Sequence, residues 1–498
     1  MANIKLLDIV LKNFKNIKYG EISFDNKNRI FKNNKGNLAF FKDEQTNIIG
    51  IYGQNGSGKT SVIEAIYVLK LVLQGGSFKN KTDYSHYIYK GENSAELSFT
   101  FLYKNNSFEY LVNYSFVLLK KYNQNYNYYY VQICSETIKY KEIKKNAKEK
   151  LLISWNEIED ESDFNIMPLN LYQEMKSEVE KEVSIKLAKT YSQEQKSSFF
   201  FNKKFIGFIR KYASDTFLNE VLNILRNYAI FSMVVIRVEN IGFINAGILI
   251  PFSFSMKKDT SFSGGVIPIR LDSKNKIEKH YINVINELLR QLNKVLCHII
   301  PDLEIYVKDL NNDELDKNNN ILKNVVLMAK YPNYEIPLRY ESNGIIKIIS
   351  ILGSLINVYN NQNVLLAVDE LDSGIFEYML GELLSLLDGR TKGQLLFTSH
   401  NLRILELISN DCIRFATTDP ENKFGIIGNI KKNNNLRDIY LRYVKLGEDN
   451  NRFYSDTDKY EIIYAMRKSG NVMKSPDISK YGSLEIEDDI EGEQNNGE

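Results

Sequence analysis

The chain has 498 residues, of which 43% are hydrophobic and 25% charged, and its formal net charge is +2. This length allows two or three domains, and the composition is that of an ordinary globular protein rather than a disordered or fibrous one. Near-balanced charge implies no global field for a polyanion, so any nucleic-acid contact must come from a local patch.

Residues 4–14 alternate loosely and read as a strand, followed by strands at Ile22–Phe24 and Leu38–Phe41 with an Asn/Lys-rich loop at 26–36 between them. Ile48, Ile49, Ile51 and Tyr52 read as a short buried strand. Gly53-Gln54-Asn55-Gly56-Ser57-Gly58-Lys59-Thr60 then fits G-x-x-x-x-G-K-[ST]. Beyond it, Val62, Ile63, Ile66, Leu69 and Leu73 recur at helical spacing. A strand, a glycine loop and a helix N-terminus together make an anion site. The glycines let backbone N–H groups converge, and the helix dipole adds positive potential. Gly53, Asn55, Gly56, Ser57, Gly58, Lys59, Thr60 and Ser61 are the candidate nucleotide-binding residues. Lys59 would reach the outer phosphates and the Thr60 hydroxyl would hold Mg²⁺.

From Ala95 to Glu136, apolar residues in short alternating runs predict an antiparallel meander. Residues 139–232 turn polar and helical, and Phe252–Gly265, rich in Ser, Phe and Gly, reads as a loop. Helical periodicity returns over 277–300, with strands expected near 303–308 and 321–330. Ile345–Val358 predicts an apolar helix. Val364–Val368 and Leu395–Thr398 predict central parallel strands covered on both faces. The last 15 residues hold seven carboxylates and read as a disordered tail.

The Val364–Val368 strand delivers Asp369 and Glu370 to its C-terminal end, where open α/β sheets bind ligands. Asp369 would hold Mg²⁺ with Thr60, and Glu370 would orient or deprotonate the attacking water. Asp369 lies 309 residues beyond Thr60. This gap requires large insertions between the halves of one site, unlike ring-forming or RecA-type cores.

These motifs resemble those of ABC-class ATPases of the SMC, RecF and OLD group, and more narrowly the stand-alone OLD-like ATPases of bacterial anti-phage defence loci. Ile4–Phe14 with Lys15-Asn16-Ile17 resembles their opening strand and turn. Glu341-Ser342-Asn343-Gly344 resembles their signature, Asp369-Glu370-Leu371-Asp372-Ser373-Gly374 their D-E-x-D-S-G stretch, and Thr398-Ser399-His400-Asn401 their switch histidine. The resemblance implies an α/β fold: an ABC-type P-loop NTPase head, a mixed sheet with flanking helices plus the antiparallel β meander, with an inserted helical subdomain. The expected division is an N-terminal lobe at 1–138, the insertion at 139–275, a C-terminal lobe at 276–470 and the acidic tail at 471–498.

The resemblance further implies ATP and Mg²⁺ as cofactors, and Glu370 and His400 as catalytic residues. It places Ser342, Asn343 and Gly344 against the γ-phosphate held by a second copy. A homodimer or higher even-numbered oligomer would follow, and binding energy would become a dimer switch. Ser342 also reads as an ordinary N-cap, and the two roles are compatible. His86, His280 and His298 read as structural. Where many relatives carry His-Pro, this chain has Phe376-Glu377, and Gln132 is the candidate for their Q-loop glutamine.

The basic run Lys139, Lys141, Lys144, Lys145, Lys148 and Lys150 reads as a solvated helix face or as a nucleic-acid contact, so DNA or RNA stays open as a partner. Lys203-Lys204 beside Phe199–Phe201 and Phe205 reads first as a buried aromatic cluster. Asn435–Tyr440 resembles a C-terminal element of the stand-alone ATPases, with Arg437 available to pair with carboxylates. The three cysteines, Cys134, Cys297 and Cys412, are widely spaced, which argues against disulfides or zinc and suits a cytoplasmic location. The N-terminus lacks the apolar core of a signal peptide, and no membrane span is expected. No nuclease pattern is found, so destruction of a target would fall to a separate effector protein, a nuclease or toxin. The rival readings are a RecF/SMC-like DNA-maintenance ATPase and a non-catalytic ATP-dependent scaffold.

Overall fold

A computed structural model describes residues 3–24, 46–78, 84–105, 108–123, 128–157, 165–212, 215–245, 248–258, 261–315, 321–426, 435–446 and 458–469. The expected loop at 26–36, the expected strand at Leu38–Phe41 and the acidic tail at 471–498 lie outside these residues. Contacts place the residues up to Tyr454 in one unit and those from Ser455 in a second.

Strands β1 (Asn3–Phe14) and β2 (Ile17–Ser23) open the chain and pair antiparallel. β3 (Ile48–Tyr52), buried at every residue, feeds the glycine loop and α1 (Lys59–Leu73). β4 (Ser94–Lys104), β5 (Glu109–Asn123), β6 (Tyr128–Glu142), β7 (Lys150–Asn156) and β8 (Asn165–Met167) complete an antiparallel sheet ordered β2-β1-β4-β5-β6-β7-β8. The meander therefore runs past Glu136. The Lys139–Lys150 run lies on the β6–β7 hairpin rather than on a helix face, with Lys139 paired to Glu149 and Lys144 to Glu142.

Four helices follow: α2 (Leu169–Met175), α3 (Val179–Gln195), α4 (Lys203–Tyr212) and α5 (Thr216–Asn227). Phe199, Phe200, Phe201 and Phe205 are buried core. The loop carrying Phe199, Phe200 and Phe201 is pinned by Glu136, fully buried on β6. Its carboxylate accepts from the Tyr114 and Ser198 hydroxyls and from the Phe199 and Phe200 amides.

A π-helical turn at Tyr228–Ser232 leads into β9 (Met233–Ile236) and α6 (Val238–Asn245). β10 (Leu249–Lys258) and β11 (Ser261–Arg270) pair antiparallel, so the described residues of the expected loop, 252–258 and 261–265, are strand. β12 (Asn275–Glu278), α7 (Lys279–Ile299), β13 (Glu304–Leu315), β14 (Ile321–Lys330) and β15 (Glu335–Pro337) come next, their strands forming a small antiparallel sheet. The first unit ends with α8 (Asn343–Asn360), β16 (Leu365–Val368), α9 (Glu377–Leu387), β17 (Gln394–Thr398), α10 (Ile404–Leu407), β18 (Ile413–Ala416), β19 (Phe424–Gly425) and α11 (Leu436–Leu446). In the second unit, α12 (Lys459–Ser469) buries no residue. Among the described residues no helix is long and apolar enough to cross a membrane.

The sheet that positions the candidate site is ordered β19-β18-β3-β17-β16-β9, parallel except at β19. Its residues alternate between two cores. Ile49, Ile51, Leu365, Ala367 and Leu396 face one side. Ile48, Tyr52, Leu366, Val368, Leu395 and Phe397 face the other. Burial on both faces is why these strands are unbroken apolar runs. β9 arises inside the 139–275 stretch yet lies beside β16, so that stretch contributes strand to this sheet as well as helix. Gln394 joins the two large sheets: its buried amide accepts the Leu6 N–H (2.9 Å) and donates to the Leu6 carbonyl (2.6 Å). The parallel register brings the C-terminal ends of β3, β17 and β16 side by side, which sets the site.

Candidate functional site

The loop after β3 has a backbone that only glycine tolerates well. Gly56 has φ +79° and Gly58 φ +99°. Gly58 begins α1 with no side-chain cap, so the first N–H groups of the helix are left for a ligand. Lys59 Nζ donates to the carbonyls of Gly53 (2.8 Å) and Gln54 (3.0 Å), folded over the loop. Burial pulls its ammonium below the usual lysine range, against the carboxylates of Asp369, Glu370 and Asp372. The Ser57 hydroxyl is buried without a hydrogen-bond partner, while Asn55 and Gly56 are exposed at the loop tip. The Ser61 hydroxyl donates to Asn16 Oδ1 (2.8 Å).

The two halves of the expected magnesium site meet. Thr60 Oγ1 donates to Asp369 Oδ1 at 3.4 Å. Asp369 is only 1% exposed, and its Oδ2 has no hydrogen-bond partner. A buried carboxylate oxygen with no donor is costly unless a cation takes its lone pairs. Hard oxygen donors from Thr60 and Asp369, at a phosphate loop, fit Mg²⁺.

Thr398, the last residue of β17, connects the pieces. Its hydroxyl donates to Asp369 Oδ1 (2.5 Å) and accepts the Glu370 N–H (2.8 Å), and its carbonyl accepts the Leu371 N–H (3.0 Å). Glu370 sits at φ +46°, unfavourable for a residue with a Cβ, and the Thr398 hydroxyl holds that conformation. Its side chain is half-buried.

His400 follows two residues later. Its N–H donates to Asp372 Oδ2 (3.1 Å), which ties the β17 end to the turn after β16. Desolvation in the cleft, then the Lys59 ammonium, holds the imidazole below its ordinary value, against Asp372, Glu370 and Asp369. The residue is solvent-exposed overall, so this pull is weak. His400 is uncharged at neutral pH and within electrostatic reach of Lys59, Asp369 and Glu370.

Ser342 and Asn343 are exposed at the start of α8, where the Ser342 hydroxyl caps the helix by accepting the Ile345 N–H (3.3 Å). Gly344 packs on the turn after β16 so closely that a Cβ there would lie 2.9 Å from the Gly374 carbonyl oxygen. Phe376, which with Glu377 stands where many relatives are expected to carry His-Pro, is 67% exposed and stacks on Tyr378. Gln132 is not brought to this group by any hydrogen bond among the described residues. It lies within β6 and donates to Glu157. Arg437 pairs with Glu406 (2.7 Å).

Sequence reasoning passed over three participants. Thr398 was visible as a strand end and as the first residue of the Thr398-Ser399-His400-Asn401 stretch, with no role of its own. Asn16 belonged to the opening turn, and its amide also donates to the Gly56 carbonyl (2.6 Å), bracing the phosphate loop from outside. Lys423, buried before β19, lies against Gly58, where a Cβ would come within 2.9 Å of Lys423 Cε. The motifs that contain Thr398 and Asn16 do not mark these contacts, and no local pattern marks Lys423.

No protein-family model and no curated protein sequence matches the chain. Among solved structures it is similar to a crystal structure of the Smc head bound to the C-terminal winged-helix domain of ScpA, at 12% identity over 84% of this chain and 97% of that one, with a TM-score of 0.38. It is similar to the SMC head domain from Thermotoga maritima, at 12% identity over 85% and 100%, TM-score 0.34. It is also similar to the recombination mediator protein RecF with ATP, at 13% identity over 80% and 94%, TM-score 0.33.

Proposed function

We propose that this chain is a magnesium-dependent ATPase of the ABC/OLD-like class that acts as a nucleotide-gated dimer switch. The observation that carries this reading is the Thr60–Asp369 contact, which spans 309 residues of sequence and leaves Asp369 Oδ2 buried and unpartnered. Thr60 and Asp369 would hold Mg²⁺, which would supply positive charge to offset that of the phosphates. Lys59 exchanges its two loop carbonyls for the outer phosphates of ATP. The uncapped start of α1 and the Ser57 hydroxyl receive the remaining oxygens. Glu370 orients the attacking water and takes its proton, and the uncharged His400 helps to fix that water beside the γ-phosphate.

Ser342, Asn343 and Gly344 lie at a solvent-facing helix start, which supports their meeting the nucleotide of a second copy. The functional unit is then a homodimer or a higher even-numbered oligomer. The motif resemblance to stand-alone OLD-like ATPases supports a place in an anti-phage defence system that works through a separate effector.

The test is light scattering and phosphate release in Mg-ATP. Glu370→Gln should trap a nucleotide-bound dimer, and Lys59→Ala should bind no nucleotide. Hydrolysis by Glu370→Gln at the wild-type rate rejects the base assignment. Turnover stimulated by DNA and falling steeply with salt would point instead to a DNA-maintenance ATPase.

A further inference from the structure

Lys347 lies in the second turn of α8 and is fully buried, 0% exposed, yet its ammonium has no hydrogen-bond partner. Lysine is rarely buried without a partner, because the charge loses its hydration and gains nothing in return. The negative groups that act on it electrostatically are those of the turn after β16. Burial pushes Lys347 down to about 8, and Asp372, then Glu370 and Asp369, pull it back up. Asp372 has a matching deficit. Its Oδ2 accepts the His400 N–H, while its Oδ1 is buried with no donor. An unused donor on α8 and an unused acceptor on the turn thus lie on either side of one packed contact, where Gly344 meets Gly374.

We propose that Lys347 is a positioning residue whose ammonium bonds Asp372 Oδ1 when α8 and the 369–374 turn close about nucleotide. This rests on the ATPase reading of the site. Glu370 stands on that turn, and His400 is hydrogen-bonded to it. The new bond therefore couples the Ser342 end of α8 to both hydrolytic groups. Lys347 itself touches no substrate.

The full-length wild type, Lys347→Met, Asp372→Asn and the double variant are compared by melting with and without Mg-ATP, by titration with a fluorescent ATP analogue, and by steady-state phosphate release. Without nucleotide, Lys347→Met should melt within about 2 °C of wild type or higher, since it removes an ammonium that has no bond to lose. Analogue affinity should stay within about threefold while kcat falls about tenfold or more at nearly unchanged KM. Asp372→Asn should do the same, and the double variant should be no slower than the slower single one. Multiplying effects, a kcat within about twofold of wild type, or a nucleotide-free melt lowered by more than about 5 °C overturns the proposal. If Lys347→Met does not fold, the kcat of Asp372→Asn decides by the same limits. A wild type whose melting ignores Mg-ATP rejects the ATPase reading itself, a result separate from failure of the variants.

Discussion

Thr398 holds Asp369 and Glu370 through one hydroxyl, donating to the carboxylate of the first and accepting the amide of the second. A side chain from the strand between the two expected motifs thus sets the geometry of both acids. Thr398→Val keeps the shape and removes the hydroxyl. We expect kcat to fall about 10- to 100-fold, the usual effect of losing a group that orients a metal ligand. Phosphate release measured across a magnesium titration should also show a raised requirement for the ion.

Asn16 joins the loop to the opening turn by bonds to Gly56 and Ser61. Asn16→Ala should cost about 1–2 kcal/mol of stability, the net worth of two such bonds. It should weaken nucleotide affinity more than it lowers kcat, because it loosens the cradle and leaves the acids in place. Melting and analogue titration measure the two effects.

Gly58 combines φ +99° with crowding by Lys423 and Asn16. Gly58→Ala should cost about 1–3 kcal/mol in backbone strain alone. Calorimetric titration with Mg-ATP should then show no binding, because the amides at the start of α1 turn away from their common point.

His400 has its proton affinity lowered on folding. Below about pH 6.5 the unfolded chain therefore binds this proton more readily than the folded one. The stabilisation is present above that pH and is lost as pH falls through the lowered folded value. Between pH 8 and pH 5 the wild type should lose more thermal stability than His400→Gln. Paired melting curves read the difference, and an equal loss would show that the imidazole titrates as it does in free chain.

The parts legible in the sequence are those that local physics dictates. β3, β16 and β17 are apolar throughout because both faces are covered, and the glycine loop has no cheap substitute. Helix α8 announced itself through its long apolar run. What was misread depends on partners far along the chain. Lys139–Lys150 looks helical by charge spacing, but the neighbours of β6 decide its pairing. The Ser and Gly residues of Phe252–Gly265 suggested a loop, although Phe252, Phe254 and Met256 recur at a spacing of two. β9 is four residues long, too short to stand out next to helices. The role of Thr398 follows from the register of β17 against β16, which no window on one strand contains.

The amide of Asp369 donates to the carbonyl of Ile236, at the end of β9, over 2.9 Å. The strand immediately downstream of α2–α5 thereby grips the backbone of Asp369. Cutting 139–275 out and closing the gap with a linker would strip the sheet of its border and let that aspartate drift. Conversely, whatever tugs on those helices has a four-residue lever reaching the place where the phosphate would be cut.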